Sequence, residues 1–459
     1  MADQSLFAGP AIRRLRKREG MTQASTAARL EISPSYLNLI ERNQRPVSAR
    51  VMMRLVEQFD FDPRSLRADE AIGGVDGLAR RFADERFADL GIDRDELQEF
   101  LASSPQVASA FARLYDNAGP AGGAADPLAA SRAEVERWRN HFADLDSEAE
   151  AMADEMRLSR GDIGIALADR LRERHQLSVR ILPREVLPDS LRRLDLHARQ
   201  VQLSEMLSIP SRNFQLAMQL AQLEFADGIQ TVASGARFDD EAARGLFARH
   251  LQGYVAAALI MPYGRFLRAC EATGYDLPVL ERRFGVSFEQ LAHRLTTLQR
   301  VGQRGLPFFM MRIDRAGQVS KTLAGGSTAR FVDSIQTCPL WDAHRAFDRA
   351  GELQVQFVAL DDAGEREGGW LTMARTVEGA GAPGEAQFVV ALGIEAVLAD
   401  QLAQARGVSL RSGDAQPIGP GCARCHREAC SQRSLPPAGR KLAFDRSRRG
   451  VTPFEFERS

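Results

Sequence analysis

Lysine is nearly missing from this chain: Lys17, Lys321 and Lys441 are its whole share of 60 basic residues. The arginine bias reflects genome composition and leaves function open. Net charge is missing too, since 60 basic residues meet 61 acidic ones, which argues against a protein that coats nucleic acid along its whole length. Cysteine is scarce, with five in 459 residues. A disulfide framework is therefore excluded, and in a reducing compartment clustered cysteines bind metal or do redox chemistry. Long apolar runs are lacking as well. The longest, Tyr254 to Pro262, is about half of the roughly 20 residues a spanning helix needs. The first thirty residues carry Arg13, Arg14, Arg16, Lys17 and Arg18 without the apolar stretch of a secretory signal. These absences predict a soluble, cytoplasmic protein with no membrane partner. What is there, 44% apolar and 26% charged residues, excludes disorder, collagen-like repeats and a single small domain.

Charge is uneven along the chain. Residues 1–67 hold twelve basic against seven acidic side chains, a net of +5, so the remainder carries −6. Here Ile12, Leu15, Ala24, Ala27, Leu30, Leu37, Ile40, Val51, Leu55 and Phe59 fall at helical spacing. Thr22 is a good N-cap before QASTAARL, and Ser33 caps a second helix with Pro34 at its first position. The intervening EIS has the length of a helix-turn-helix connection. The string MTQASTAARLEISPSYLNLIERNQRPVS resembles the helix-turn-helix of the Cro/C1 repressor class, also called XRE. On that pattern Gln23 meets a phosphate, Ser35, Tyr36, Asn38 and Leu39 face the bases, and Arg42, Asn43 and Arg45 clamp the backbone. The bland alternative is a small helical bundle with a solvated basic face. One such module binds weakly, so a homodimer or higher homo-oligomer on a two-fold-related double-stranded DNA operator is expected.

Residues 70–117 and 131–160 have amphipathic helical patterns, joined by the small-residue connection NAGPAGGAADPLAAS, expected as the hinge between the DNA-binding part and the sensor. LSVRIL, LRRLDLHA and RQVQLSEM then predict a small sheet with a hairpin. From RNFQLAMQLAQLEFADG to YVAAALIMPYGRFLRA the chain resembles the ImmA/IrrE metallopeptidase domain, marked by a helix bearing H-E-x-x-H. In that motif two histidines bind zinc and the glutamate serves as general base. The corresponding positions here are Met218, Gln219 and Gln222, and His250, near a further acidic ligand of that family, cannot replace them alone. A degenerate fold kept as a sensory or packing scaffold is expected, with Leu216, Leu220 and Leu223 as plain core. The peptidase alternative needs zinc ligands that these positions do not supply.

GYDLPVLERRFGVSFEQLAHRLTTLQR predicts two further helices around a glycine turn, with a structural role. Beyond it, LPFFMMRID, QVSKTL, LQVQFVAL, GWLTMARTV and AQFVVALGI predict strands, and EAVLADQLAQAR a closing helix, together an α+β sensor of the PAS or GAF kind around a small-molecule pocket. HRLTTLQR, GLPFFMMRIDRAGQVSK, CPLWDAHRAF and GCARCHREACSQR, in this order, resemble the short-chain fatty-acyl family of transcriptional regulators, which control methylcitrate-cycle, glyoxylate and propionyl-CoA carboxylase genes. The resemblance implies a non-enzymatic regulator that senses short-chain acyl-CoA. Arg312, Lys321 and Arg330 are the cations in the matching motifs, and Phe309, Trp341 and Trp370 offer apolar surface. A phage-type or toxin–antitoxin repressor, controlled by protein partners, remains the alternative.

Cys422, Cys425 and Cys430 have the spacing C-x2-C-x4-C, and Cys338 stands far upstream in CPLW. Four thiolates complete either a zinc site or a [4Fe–4S] cluster. The family resemblance implies the cluster; zinc and free thiols stay open, with His426 a reserve ligand and Cys270 a buried spectator. Phe444, Phe454 and Phe456 are expected to anchor the basic tail. The predicted architecture is multidomain, mainly α with an α+β sensor. It comprises a Cro/C1-type helix-turn-helix domain (1–69), a helical linker and dimerisation region (70–160) and an ImmA/IrrE-like domain without the zinc motif (161–300). The sensor module (301–412) and a Cys-rich segment with its tail (413–459) follow.

Overall fold

The computed structural model describes residues 9–41, 45, 47–59, 74–82, 87, 90–117, 126–158, 161–238, 240–327, 329, 336–362, 365–379, 386–427, 430–444, 447, 450, 452 and 454–456. The chain divides into two compact units, Met1–Gly123 and Ala124–Ser459.

In the first unit α1 (Gly9–Arg18), α2 (Gln23–Arg29), α3 (Pro34–Glu41) and α4 (Ala49–Phe59) enclose Ile12, Leu15, Ala27, Leu30, Leu37, Ile40, Val47, Val51, Leu55 and Phe59. Of the expected apolar positions only Ala24 is exposed. Thr22 Oγ1 accepts from Ser25 N and Ser33 Oγ from Tyr36 N, both at 3.1 Å, so each hydroxyl satisfies an amide that has no partner within its helix. Three more helices, α5 (Gly74–Phe82), α6 (Arg94–Ser103) and α7 (Pro105–Asn117), pack through Leu78, Leu97, Leu101, Ala108 and Ala112, with Phe82 stacked on Phe111.

The second unit opens with α8 (Pro127–Arg137) and α9 (Ala143–Glu155). Val135, Phe142, Leu145, Ala149 and Met152 are part of its main core. The boundary between the units, Gly123/Ala124, falls inside NAGPAGGAADPLAAS, and the apolar faces of α8 and α9 are buried with the chain that follows. After α10 (Ile163–His175) comes a sheet of β1 (Ser178–Leu182), β2 (Arg192–Asp195) and β3 (Gln200–Ser204). Its order is β1-β3-β2, with β2–β3 the expected antiparallel pair and β1–β3 parallel. A helical layer follows: α11 (Ile209–Glu224), α12 (Ala226–Gly235), α13 (Glu241–Ile260), α14 (Tyr263–Thr273), α15 (Leu277–Phe284) and α16 (Phe288–Leu295). Residues 254–260 of α13 are all buried, so the longest apolar run of the sequence is a core helix, apolar on every side because protein surrounds it. Gly285, at φ +61°, ends α15, and a Ser287–Gln290 capping box opens α16.

The larger sheet holds β4 (Phe309–Ile313), β5 (Val319–Leu323), β6 (Gln354–Asp362), β7 (Glu365–Glu378), β8 (Gln387–Glu395) and β9 (Gln416–Ile418) in the order β5-β4-β8-β7-β6-β9. All neighbours are antiparallel except β6 and β9. Alternation along each strand gives the sheet two apolar faces: Met310, Leu371, Met373 and Leu392 join the main core, while Phe309, Met311, Ile313, Trp341 and Trp370 form a second one. EAVLADQLAQAR, expected as an α-helix, forms the 3-10 turns Ala396–Gln401 and Ala403–Ala405. Its buried residues Ala399, Leu402 and Ala405 recur every three positions, the period of that tighter helix. Near the C-terminus β10 (Leu442–Ala443) pairs with β11 (Glu455–Phe456). Phe444, expected to anchor the tail, is 86% exposed just past the end of β10, whereas Phe456 lies beneath the guanidinium groups of Arg433 and Arg440.

Candidate functional site

The proposed reading helix is α3. Ser35 is exposed, Leu39 lies on the solvent side, and Tyr36 and Asn38 are half-buried. Arg45 is exposed; Arg42 and Asn43 fall outside the described residues. Gln23 does not stand free for a phosphate: its Nε2 donates to Glu41 Oε2 at 2.8 Å and to Asn38 Oδ1 at 3.5 Å. Glu41 in turn accepts from Arg16 Nε and Nη2 at 2.6 and 2.9 Å. Burial pushes the Glu41 carboxyl up, and the bonds from Arg16 and Gln23 outweigh it, holding the group below its ordinary range. This network, absent from the sequence reading, joins α1, α2 and α3 and fixes the amide of Asn38 at the presumed base-facing edge. A glutamate closing α3 on its buried side, with the arginines of α1, was the available signal.

On α11 two of the three metal-motif positions pack, and the third, Gln222, is exposed. Met218 lies against the core, Gln219 is 1% exposed, and Gln222 Oε1 accepts from Arg192 Nη2 at 3.1 Å. Among the described residues no group of three or more His, Cys, Asp or Glu side chains stands in position to hold a metal ion.

His250 instead belongs to a polar cluster among α13, α16 and the β4–β5 edge. Its Nε2 lies 2.8 Å from Asn140 Oδ1, and Asn140 Nδ2 donates to Thr296 Oγ1 at 2.9 Å. The His293 ring, on α16, is 5.5 Å from that of His250. His293 is buried, and its Nε2 has no hydrogen-bond partner. Burial, with Lys321 second, pushes His250 down to about 3 and His293 well below the ordinary histidine value. Arg312 and Lys321 are register partners across β4 and β5, and both approach Glu289 Oε1, at 3.4 and 3.9 Å. Arg312 also lies 4.0 Å above the Phe388 ring, with a buried Nε that bonds nothing. Burial pushes the Lys321 ammonium down, partly offset by Glu289. Two cations thus share one carboxylate beside two neutral imidazoles.

Of the six residues expected at one ligand pocket, Arg312 and Lys321 stand together, while Phe309, Trp341 and Trp370 belong to the other face of the sheet. Phe309 and Trp341 lie in the second apolar core, across the sheet from Arg312, and the Trp341 Nε1 is taken by Thr372 Oγ1 at 3.1 Å. Arg330 lies outside the described residues. His250, His293, Glu289 and Asn140 were not foreseen as parts of this cluster.

Cys338, Cys422, Cys425 and Cys430 line one small pocket with Gly419, Gly421, Arg427 and Arg433. Burial pushes the Cys338 thiol up, with Cys430 and Cys422 adding to it. A side chain at Gly419 would come within 2.6 Å of Cys425 Sγ, so glycine is what lets the backbone approach the thiol. The four thiols line this pocket without standing in metal-holding positions; in donor chemistry alone the set is that of a soft, thiolate-ligated centre. Cys270 is buried elsewhere, in the main core.

Sequence comparison bears on both units. Residues 297–454 match the family described as short-chain fatty acyl coenzyme A regulator, C-terminal, residues 172–296 an IrrE N-terminal-like domain, and residues 12–66 a helix-turn-helix. The HTH-type transcriptional regulator RamB of Mycobacterium tuberculosis is 35% identical over 98% of both chains. The chain belongs to the short-chain fatty acyl coenzyme A regulators. Other relatives of this regulator are PrpR of M. tuberculosis, 32% identical over 98% of this chain and 95% of its own, and the propionyl-CoA carboxylase regulator of Cereibacter sphaeroides, 34% identical over 99% of each. A solved M. tuberculosis transcriptional regulator superposes with a TM-score of 0.66 at 34% identity, covering 72% of this chain and 99% of that one. The regulator is thus a helix-turn-helix transcriptional regulator with an IrrE-like domain, mostly helical with sheets. Among its described residues no helix is long and apolar enough to cross a membrane.

Proposed function

We propose that the regulator binds a two-fold-related operator as a homodimer through α2 and α3, performs no catalysis, and adjusts genes of short-chain acyl-CoA metabolism to the level of an acyl-CoA. The effector sits at the cluster of Arg312, Lys321, His250 and His293. One observation carries this reading: Arg312 and Lys321 converge on a single carboxylate, Glu289, beside the unpartnered nitrogen of buried His293. A surplus of cations next to neutral, unsatisfied donors and acceptors suits a phosphate-bearing ligand. Binding to one arrangement of the second unit shifts its population, and the operator affinity follows. The module at 301–412 is an effector-sensing α+β unit in this reading, and 413–459 its metal-binding appendix.

Isothermal titration with propionyl-CoA, acetyl-CoA and free CoA tests the cluster. Lys321→Ala and Arg312→Ala are each expected to raise the dissociation constant about 10- to 100-fold, the worth of one charge-assisted bond, with the unfolding midpoint little changed. Wild-type affinity in both variants would remove the assignment. For DNA, Asn38→Ala is expected to cost about 1–3 kcal/mol on the operator and little on random sequence. Arg45→Ala should weaken both alike and reduce the slope of affinity against salt by about one unit. Fluorescence anisotropy on sites found by genome-wide mapping checks this. Equal losses on operator and random DNA for Asn38→Ala would place the reading surface elsewhere.

In this reading the four thiols of the cysteine pocket supply the donor set of a [4Fe–4S] cluster, with zinc the alternative. Cys338, Cys422, Cys425 and Cys430 would hold it, and a cluster would add sensitivity to redox state or oxygen. Anaerobically purified protein without iron, sulfide or visible charge-transfer absorption would exclude the cluster.

A further inference from the structure

Arg433 is buried, at 4% exposure, yet none of its hydrogen-bond partners is a carboxylate. Nη1 donates to the carbonyl oxygens of Cys425, Cys422 and Leu435 at 3.0, 3.4 and 3.4 Å. Nη2 donates to the carbonyl of Arg427 and stands 4.0 Å from Cys425 Sγ, while Nε bonds nothing. The group lies 5.3 Å from the centre of the Phe456 ring. Carbonyl dipoles solvate such a guanidinium only in part, and an uncompensated buried charge is strongly destabilising. The other arginine of the pocket does not share this condition, because Arg427 Nε meets Asp361 Oδ2 at 3.3 Å. With neutral thiols, then, no carboxylate among the described residues bonds the Arg433 guanidinium.

Metal binding brings negative charge to the guanidinium. Ligating cysteines are thiolates, and four of them outweigh the charge of a zinc ion or of an oxidised [4Fe–4S] core, leaving a dianionic centre. We infer that Arg433 is the built-in counter-charge of such a centre, a positioning residue that couples occupancy of the cysteine pocket to the order of the C-terminal segment 419–456. The inference rests on the reading of this pocket as a metal site. The coupling follows from what the side chain ties together: the backbone at residues 422, 425, 427 and 435 converges on one guanidinium, and Phe456 stacks on it from β11. Arg440, 4.9 Å from the same ring, also donates to the His426 carbonyl at 3.5 Å. With the anionic centre lost, Arg433 is better solvated in water, and its departure undoes the carbonyl cradle and the seat of Phe456 together.

The test uses the full chain purified without oxygen, loaded either with iron and sulfide or with zinc alone, in wild type, Arg433→Met and Arg433→Lys. Readouts are bound metal per chain, the rate of release to a chelator, and chymotryptic cleavage within 419–456 mapped by mass spectrometry. Loaded wild type is expected to resist cleavage, and stripped wild type to be cut. Arg433→Met should release metal at least tenfold faster, yet be cut no more readily than wild type when stripped, since methionine leaves no buried charge to expel. Arg433→Lys should recover part of the metal retention. Wild-type release rates in Arg433→Met would overturn the inference, and so would equal loss of protection in its loaded and stripped forms, which marks a merely structural side chain. A wild-type chain that binds neither iron nor zinc and titrates with all thiols free would instead remove the metal-site reading on which the inference rests.

Discussion

Asp146→Asn is expected to lower the unfolding free energy of the second unit by about 3–5 kcal/mol, the cost of leaving a buried charge without its partner. Arg294 and Asp146 are both fully buried and meet at 2.8 Å. Arg294 spends its other donors on the Met261 carbonyl and on Thr297 Oγ1, at 2.9 and 3.0 Å, and lies 5.8 and 5.7 Å from the ring centres of Tyr254 and Tyr263. One guanidinium thus joins α9, the α13–α14 junction and α16. An asparagine keeps the shape and removes the counter-charge, so the guanidinium remains buried at full cost. The three tryptophans, Trp138, Trp341 and Trp370, all lie in the second unit, so their fluorescence during urea unfolding follows that unit alone. Arg294→Met should be comparably damaging, while the double variant should cost clearly less than the sum, because no orphan charge is left. Additive losses would show that the pair is held by packing and contributes little as charges.

Acidification should act nearly as strongly. His250 and His293 have folded-state values below the ordinary 6.5, so below that pH the unfolded chain takes up protons first. Their stabilising contribution is complete above about pH 6.5 and is lost as pH falls from there toward the depressed values. At about 1.4 kcal/mol per pH unit for each ring, moving to pH 5 costs about 4 kcal/mol for the two together. His141 and His344, also pushed down by burial, steepen the same slope. Urea unfolding between pH 8 and 5 should therefore show stability falling only below about 6.5, with His250→Gln and His293→Gln each flattening the fall. A slope untouched by both substitutions would mean that the rings are hydrated and titrate normally.

Much of the fold was legible because its signals are local. The caps at Thr22 and Ser33, the core spacing from Ile12 to Phe59, and the strands from Phe309 to Ile394 follow from residues a few positions apart, where sterics and hydrogen bonding act directly. The failures come from longer range or from parity. Asp146 and Arg294 are 148 positions apart, and nothing local marks either as the other's partner. The burial of Phe142 and Ala149 against later helices depends on residues far along the chain. Parity was available and unused: Phe309 and Arg312 are three apart on a strand, so their side chains emerge on opposite faces and cannot line one pocket. His293 gave a weak signal, as a polar residue on the buried stripe of an otherwise apolar helix. Arg433 gave none, since arginine in a basic tail is ordinarily solvated.

The scarcity of lysine acquires a practical meaning from the position of Lys321. Besides the terminal amine, the chain offers acylating reagents only three primary amines, and burial holds the Lys321 ammonium below the ordinary lysine value. Acylation at position 321 can therefore be read by mass spectrometry against very few competing amines. Anything bound at the cluster would shield that position, so acylation can act as a footprint of the effector where no chromophore or crystal reports it.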